Sequence, residues 1–536
     1  MSHEFIWWKH GVFYQIYPRS FMDSDGDGVG DLQGIIDRLD YLTGLGVDAV
    51  WISPIFASPM VDYGYDVSDH TAIHPSFGDM ETFDRLLSAA HERNIRIVLD
   101  FVPNHTSRQH PWFVESRKGQ HNRKRDWYIW KEAQPDGSPP NNWEAFTGES
   151  AWEWDEETEQ YYLHLFFKEQ PDLNWRNPEV VEAMHDVLRF WLDRGVDGFR
   201  MDAVVCCAKD SGLTDNPPIG DNSPFRSAGL KQEPVYTMNQ PGIHDILRRF
   251  RGLLDSYGDE RVMIGETFVF EPTELAKYYG KNLDEFQIPF NFITMMTSWR
   301  AGEMKQSITA YYDALPQGAT PNFVFGNHDE HRLATRFGPD NLRSAAMLLL
   351  TLWGIPMMYY ADELGMENVD IPPERRLDPL GKQKPNLDLG RDPERTPMQW
   401  DASPNAGFSS PRASPWLPVA ENYKEVNVSR QQRDPSSTLN FYKSLLRLRR
   451  EMPALHRGDF TLFEEMPGEI MAYVRSAERK RVLVVVNFGA SGRTLDLSSL
   501  NDSGELLLSS EFRKPGRVVL SELALNPHES LLILLS

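Results

Sequence analysis

Apolar residues fall along this chain in two rhythms: short runs rich in β-branched and aromatic side chains, and longer segments with apolar positions at helical spacing. Their alternation predicts a parallel α/β architecture. Eight runs read as strands, at 12–17, 49–52, 96–101, 198–201, 262–265, 286–289, 322–325 and 357–360. The clearest helix spans 178–194, where Val180, Val181, Met184, Val187, Leu188, Trp191 and Leu192 form one apolar stripe. Asn177 is placed to cap it, Pro178 suits its first turn and Gly195 ends it.

Eight parallel strands with intervening helices suit a closed barrel, although a doubly wound open sheet gives a similar local pattern. Between the third and fourth runs lie about ninety residues, more than a loop and a helix need. A small inserted domain over 104–175 is the natural reading, rich in Trp, Pro and Asn around Trp127, Trp130 and Pro139-Pro140-Asn141-Asn142-Trp143. From Gly458 the texture changes to short alternating strands (471–475, 482–487, 505–508, 531–535) joined by Gly, Ser, Asn and Asp turns. That predicts an all-β domain over 458–536, leaving 1–103 and 176–457 for the barrel.

Composition narrows the partners. The 536 residues are 40 % hydrophobic and 25 % charged, ordinary for a globular chain, and the formal net charge of −23 repels phosphate backbones and anionic lipid. Neither nucleic acid nor a membrane is an expected partner; a neutral small molecule fits better. No run approaches the roughly 20 apolar residues of a membrane span. The N-terminus lacks the pattern of a secretory signal. The two cysteines, Cys206 and Cys207, are adjacent, where a disulfide would staple nothing, and they read as buried small hydrophobes. A cytoplasmic location is therefore expected, as a monomer or homodimer.

In a barrel the chemistry sits where strands finish. The strand ends deliver Asp100 with Asn104 and His105, then Arg200 and Asp202, then Glu266, then Asn327, His328 and Asp329. One aspartate after a strand is commonly a cap or turn residue. Acids from four strands, interleaved with an arginine and two histidines, are costly to gather and point to chemistry or to a metal site of several carboxylates. Two carboxyls of unlike pKa are what glycosidic cleavage requires.

These residues resemble the α-amylase clan of glycoside hydrolases, whose four short signatures look like Asp100-Phe101-Val102-Pro103-Asn104-His105, Gly198-Phe199-Arg200-Met201-Asp202, Gly265-Glu266-Thr267 and Phe325-Gly326-Asn327-His328-Asp329. The resemblance implies a (β/α)8 TIM barrel with an inserted domain B after the third strand and a C-terminal β-sandwich. It also implies Asp202 as nucleophile, Glu266 as general acid and base, and Asp329 as the residue that holds sugar hydroxyls, with His105 and His328 donating hydrogen bonds beside it. Arg200, on the same face of the strand, is expected to pair with Asp202 and keep it ionised. Asp62-Tyr63-Gly64-Tyr65-Asp66 and Arg395-Thr396-Pro397-Met398-Gln399-Trp400 look like the exo-acting α-glucosidase and oligo-1,6-glucosidase branch. By that resemblance Asp62 and Arg395 clamp the terminal sugar and Tyr65 gives it a stacking face. Relatives carry Thr or Val after the nucleophile according to linkage; Ala203 stands here and leaves the linkage open.

Asp23-Ser24-Asp25-Gly26-Asp27-Gly28-Val29-Gly30-Asp31 reproduces the first part of an EF-hand loop, with Gly34 where the bidentate Glu would stand. One structural Ca²⁺ or Mg²⁺ is expected there, on Asp23, Asp25, Asp27, the Val29 carbonyl and Asp31, and no organic cofactor. The expected activity is retaining hydrolysis of short α-glucosides, maltose-like disaccharides and aryl glucosides, with glucosyl transfer as a side path. Two alternatives share the scaffold: trehalose synthases or sucrose isomerases, and the non-catalytic transporter heavy chains, which carry a membrane span that this sequence lacks.

Overall fold

The computed structural model describes residues 5–535 apart from Ala228, Asp259, Pro385, Asn386 and Asp388. Eight parallel strands form one sheet: β1 (Phe13–Ile16), β2 (Ala49–Ile52), β3 (Arg96–Phe101), β4 (Gly198–Met201), β5 (Val262–Gly265), β6 (Ile288–Pro289), β7 (Asn322–Val324) and β8 (Ile355–Tyr359). Their order, β6-β5-β4-β3-β2-β1-β8-β7, is that of a barrel with one junction, β6 to β7, that carries no strand ladder. Amide side chains span it instead: Asn291 N donates to Asn322 Oδ1 at 3.2 Å, and Asn291 Nδ2 to the Asn322 carbonyl at 3.2 Å. The open-sheet alternative is set aside. β6 is shorter than the sequence pattern predicts, and β8 begins two residues earlier, at Ile355, because Pro356 masks a strand that tolerates it.

Alternation sorts each strand into two faces. Phe13, Trp51, Val98, Val262 and Ile264 fill the interior, while Tyr14, Val50, Leu99, Phe199 and Met263 face the surrounding helices. The same parity sends Asp100, Arg200, Asp202 and Glu266 inward at the carboxyl ends. Gly198 at the start of β4 is required by crowding, since a Cβ there would lie 2.4 Å from Val262. The helix Pro178–Asp193 matches its sequence signature: the Asn177 side chain accepts from Glu179 N, all seven stripe residues are buried, and Gly195 turns the chain at φ +99°.

Between β3 and β4 the chain builds a three-stranded antiparallel sheet from Trp130–Lys131, Gln160–Leu163 and Trp152–Asp155. It is tied to the barrel by the buried Lys209, whose Nζ lies 2.7 Å from Asp172 Oδ2 and 2.8 Å from Asn104 Oδ1. Lys209→Met would leave Asp172 buried without its cation and is expected to cost about 3–5 kcal/mol, read as a lower urea midpoint at unchanged slope.

The C-terminal region is a six-stranded antiparallel sheet with a two-stranded ribbon, Arg493–Leu495 and Leu523–Leu525. Here too the parity is visible: Ile470, Ala472, Val474, Leu483 and Val485 pack under the ribbon, whereas Met471, Tyr473, Val482, Val484 and Val486 belong to the main core against the barrel helices. Cys206 and Cys207 are buried free thiols. Among the described residues no helix is long and apolar enough to cross a membrane.

Candidate active site

One guanidinium organises three acids. Arg200 Nη1 lies 2.9 Å from Asp100 Oδ1 and 2.7 Å from Asp202 Oδ1, and its Nη2 lies 2.7 Å from Glu266 Oε1. Strand register explains the convergence, because Arg200 is paired with Asp100 on β3 and with Ile264, two residues before Glu266, on β5. Ala203 adopts a left-handed conformation (φ 43°, ψ 27°) that aims its N–H at Glu266 Oε2, at 2.7 Å. The two carboxyls are thus held as a close pair, each only slightly open to solvent.

Arg200 pairs with Asp202, but its charge is not the only influence on that carboxyl. Burial, followed by the Glu266 carboxylate, pushes the Asp202 carboxyl well above its ordinary range, and Arg200 only partly opposes this. Burial likewise raises Asp100 to about 6 against the pull of Arg200. With a single cation shared among three carboxyls, the titrations of these acids depend on one another.

A second set faces it. Arg395 Nη2 lies 2.6 Å from Asp329 Oδ1, and Arg395 Nε donates to the His328 carbonyl at 2.7 Å. Arg391 joins three acids: its Nη2 is 2.7 Å from both Asp62 Oδ1 and Asp378 Oδ1, and its Nη1 is 3.5 Å from Asp329 Oδ1. Burial would raise Asp329, but the Arg395 and Arg391 guanidiniums outweigh it and hold that carboxyl well below the usual range. Burial also keeps His328 neutral at pH 7, so the arginines supply the charge and His328 a hydrogen-bonding edge, with Nε2 3.2 Å from Asp329 Oδ2.

The remaining predicted residues fall around this frame. Tyr65 is buried; its ring stacks on His328 at 5.5 Å, and its hydroxyl lies 2.6 Å from His328 Nε2 and 3.2 Å from Asp100 Oδ2. One of its faces is therefore occupied by protein. His105 Nε2 donates to the Tyr65 carbonyl at 3.1 Å and lies 3.2 Å from Gln170 Nε2, which donates to Asp62 Oδ2 at 3.2 Å. Burial lowers His105 to about 3, leaving it neutral. Sequence reasoning missed Arg391, Asp378 and Gln170. A count of charge could have found the first: Asp62, Asp100, Asp202, Glu266 and Asp329 outnumber Arg200 and Arg395, and the nearest further cation in the Arg395 segment is Arg391.

In the acidic loop, ligand-type oxygens of Asp23, Asp25 and Asp27 lie within 4.8 Å of one another. Asp23 is pinned by Gly26 N at 2.7 Å and Gly28 N at 2.8 Å. Asp31 does not join the trio. It caps the helix Leu32–Asp37 through Gly34 N at 2.6 Å and binds Ser24 N at 2.8 Å. The Val29 amide donates to Asp27 Oδ1 at 2.7 Å.

Comparison with known proteins agrees with this architecture. A sequence profile described as "Alpha amylase, catalytic domain" matches residues 15–458. Maltase 1 of Drosophila virilis is 40 % identical over 557 aligned positions, covering 98 % of this chain and 86 % of its own length. Oligo-1,6-glucosidase of Parageobacillus thermoglucosidasius is 39 % identical over 565 positions and 98 % of each chain. The crystal structure of a trehalulose synthase from Pseudomonas mesoacidophila MX-45 superposes with a TM-score of 0.90 at 35 % identity, covering 99 % of each chain.

Proposed function

The chain belongs to the α-amylase family of glycoside hydrolases, and from that premise we propose that it is a retaining α-glucosidase that removes α-glucose from the non-reducing end of short α-glucosides, maltose-like disaccharides and aryl glucosides among them. The observation that carries this reading is the Arg200 hub, which holds Asp202 and Glu266 on adjacent nitrogens of one guanidinium. A retaining mechanism needs two carboxyls close together; an inverting one needs room for a water between them.

In this reading Asp202 attacks the anomeric carbon and forms a covalent glucosyl ester. Glu266 gives a proton to the departing glycosidic oxygen and then, as a carboxylate, takes one from the incoming water. Asp329, kept anionic by Arg395 and Arg391, binds sugar hydroxyls and favours the positively charged transition state. Asp62, joined to Asp329 through Arg391, bounds the far end of the sugar and supports an exo mode of action. Maltose, isomaltose, sucrose, trehalose and an aryl α-glucoside, followed over time by NMR, test the proposal. The expected first product is α-glucose. β-Glucose as first product would remove the retaining assignment, and no turnover of any of them would remove the substrate class.

Glucosyl transfer or isomerisation is the second reading, favoured by the 35 % identity to a trehalulose synthase over the full chain. Both outcomes share the glucosyl-enzyme, and the ratio of glucose to rearranged disaccharide from sucrose separates them.

We also propose one Ca²⁺ or Mg²⁺ on Asp23, Asp25 and Asp27, with the Val29 carbonyl as a further oxygen ligand; hard oxygen donors of this kind suit either ion. Asp31, expected from the spacing as a further ligand, caps the helix Leu32–Asp37. Chelation is expected to lower the unfolding temperature by several degrees while activity at 25 °C persists, because a bound ion stabilises by mass action. Identical melting curves with chelator and with added Ca²⁺ or Mg²⁺ would dismiss a resident ion.

A further inference from the structure

One side chain touches both the acidic loop and the frame around Asp329. Trp416 lies in a segment that runs back along the 23–31 loop, and its N–H donates to the Gly28 carbonyl at 2.9 Å. Earlier in the same segment the Phe408 carbonyl accepts from Asp23 N at 2.9 Å, and the Ser409 hydroxyl donates to Asp23 Oδ2. The fit is close. Gly28 sits at φ +97°, and a Cβ there would lie 2.1 Å from the Ser414 carbonyl oxygen.

The indole itself faces the site. Its Nε1 donates to Ser20 Oγ at 3.0 Å, and that hydroxyl donates in turn to the Arg395 carbonyl. The Trp416 ring is 6.0 Å from that of the buried Tyr17, which stacks on His328 at 5.9 Å with 22° between the planes. The Arg395 guanidinium carbon lies 5.1 Å from the centre of the same Tyr17 ring. His328 and Arg395 are the two groups that contact the Asp329 carboxylate at 3.2 and 2.6 Å. A second branch leads toward Asp62. The Arg19 guanidinium carbon is 4.9 Å from the Trp416 ring and 5.2 Å from that of Tyr63, the residue after Asp62, and the two rings are 5.5 Å apart. Arg19 Nε is buried without a hydrogen-bond partner, so ring faces supply much of its surroundings.

Close-packed rings in fixed rotamers have few alternative arrangements, so a displacement at one end is felt at the other. We propose that Trp416 is a positioning residue: it fixes the Tyr17 ring, and through it the His328 and Arg395 groups that orient the Asp329 carboxylate, so that the 23–31 loop governs the sugar clamp from outside the site. The proposal rests on the reading of Asp329 as the anion that meets the positive charge of the transition state. It needs no ion in the loop, because a backbone hydrogen bond and the Gly28 contact make the connection.

1-Deoxynojirimycin, a cationic glucose mimic, senses how the Asp329 charge is placed, and glucose, its neutral counterpart, senses the rest of the sugar site. Trp416→Leu is expected to raise the inhibition constant of the cation about tenfold and that of glucose less than about threefold, tenfold being the upper worth of one aromatic pair. On an aryl α-glucoside kcat should fall about tenfold while KM moves less than about threefold, as when an interaction made mainly in the transition state is lost. Trp416→Phe keeps a ring against Tyr17 and should restore most of both. A purely structural role would lower the melting temperature and leave both constants unchanged well below it. Gly28→Ala pushes on Ser414 directly and completes a double-mutant cycle: it should weaken the cation by about threefold or more in the wild type and add nothing to Trp416→Leu. Trp416→Met takes the place of Trp416→Leu should the latter not fold. Equal weakening of cation and glucose, a folded Trp416 variant that binds both as the wild type does, or a Gly28→Ala effect absent from the wild type or equal in both backgrounds overturns the positioning role alone. A wild type that binds the cation no better than glucose removes the reading of Asp329 with it.

Discussion

Asp202→Asn is expected to lower kcat on an aryl α-glucoside by at least about 10⁴-fold while the protein remains folded. The amide keeps the shape of the carboxylate and can still accept from Arg200 Nη1, so the contact at 2.7 Å survives; only the nucleophilic charge is lost. Stability should hold or rise slightly. Asp202, Asp100 and Glu266 all lean on one cation, and burial already pushes the Asp202 carboxyl upward, so its removal relieves repulsion. Circular dichroism melts beside steady-state rates decide the matter: a folded variant that still turns over would take Asp202 out of its role.

Arg200→Met is expected to be the most damaging substitution to the fold. It leaves three inward-facing carboxyls without their shared cation, a loss of about 3–5 kcal/mol, and no activity should remain. The loss should depend on pH with a definite sign. Asp100 titrates at about 6 in the folded chain, above the usual value near 3.9 when unfolded. A raised carboxyl opposes folding only once it ionises, so its penalty is absent below about pH 4 and complete above about pH 6. Without Arg200 the folded carboxyls rise further and the window extends upward. Urea midpoints of the variant should therefore approach those of the wild type as pH falls from 8 to 4.5. A deficit constant across that range would mean that Arg200 acts through packing and not through charge.

The barrel and its three acids were readable because they rest on local rules. Strand parity sends residues 98, 100, 200, 202, 262, 264 and 266 to one face, and apolar periodicity with a cap and a first-turn proline marked the helix after Asn177 within one residue at its end. What escaped depends on distance in the chain. Arg391 lies far from Asp62 and Asp329 along the backbone, and nothing in its own segment says that it joins them. His105 stands in a family signature, yet its Nε2 is taken by the Tyr65 carbonyl, forty residues away in the chain. Asp31 fits the spacing of a metal loop, but its carboxylate accepts from Gly34 N of the helix beginning at Leu32 and from Ser24 N of the loop itself. The ionisation of Asp202 could not be read from one neighbouring arginine, since it depends on how many acids share that arginine.

The C-terminal sheet buries both of its faces, one beneath the ribbon and the other on the helices of the barrel. It therefore offers no place to cut. A chain stopped at Arg457 would bare a greasy patch on the outside of the catalytic half, and the excised sheet would carry its matching surface into water. The two halves are therefore expected to melt in a single calorimetric transition.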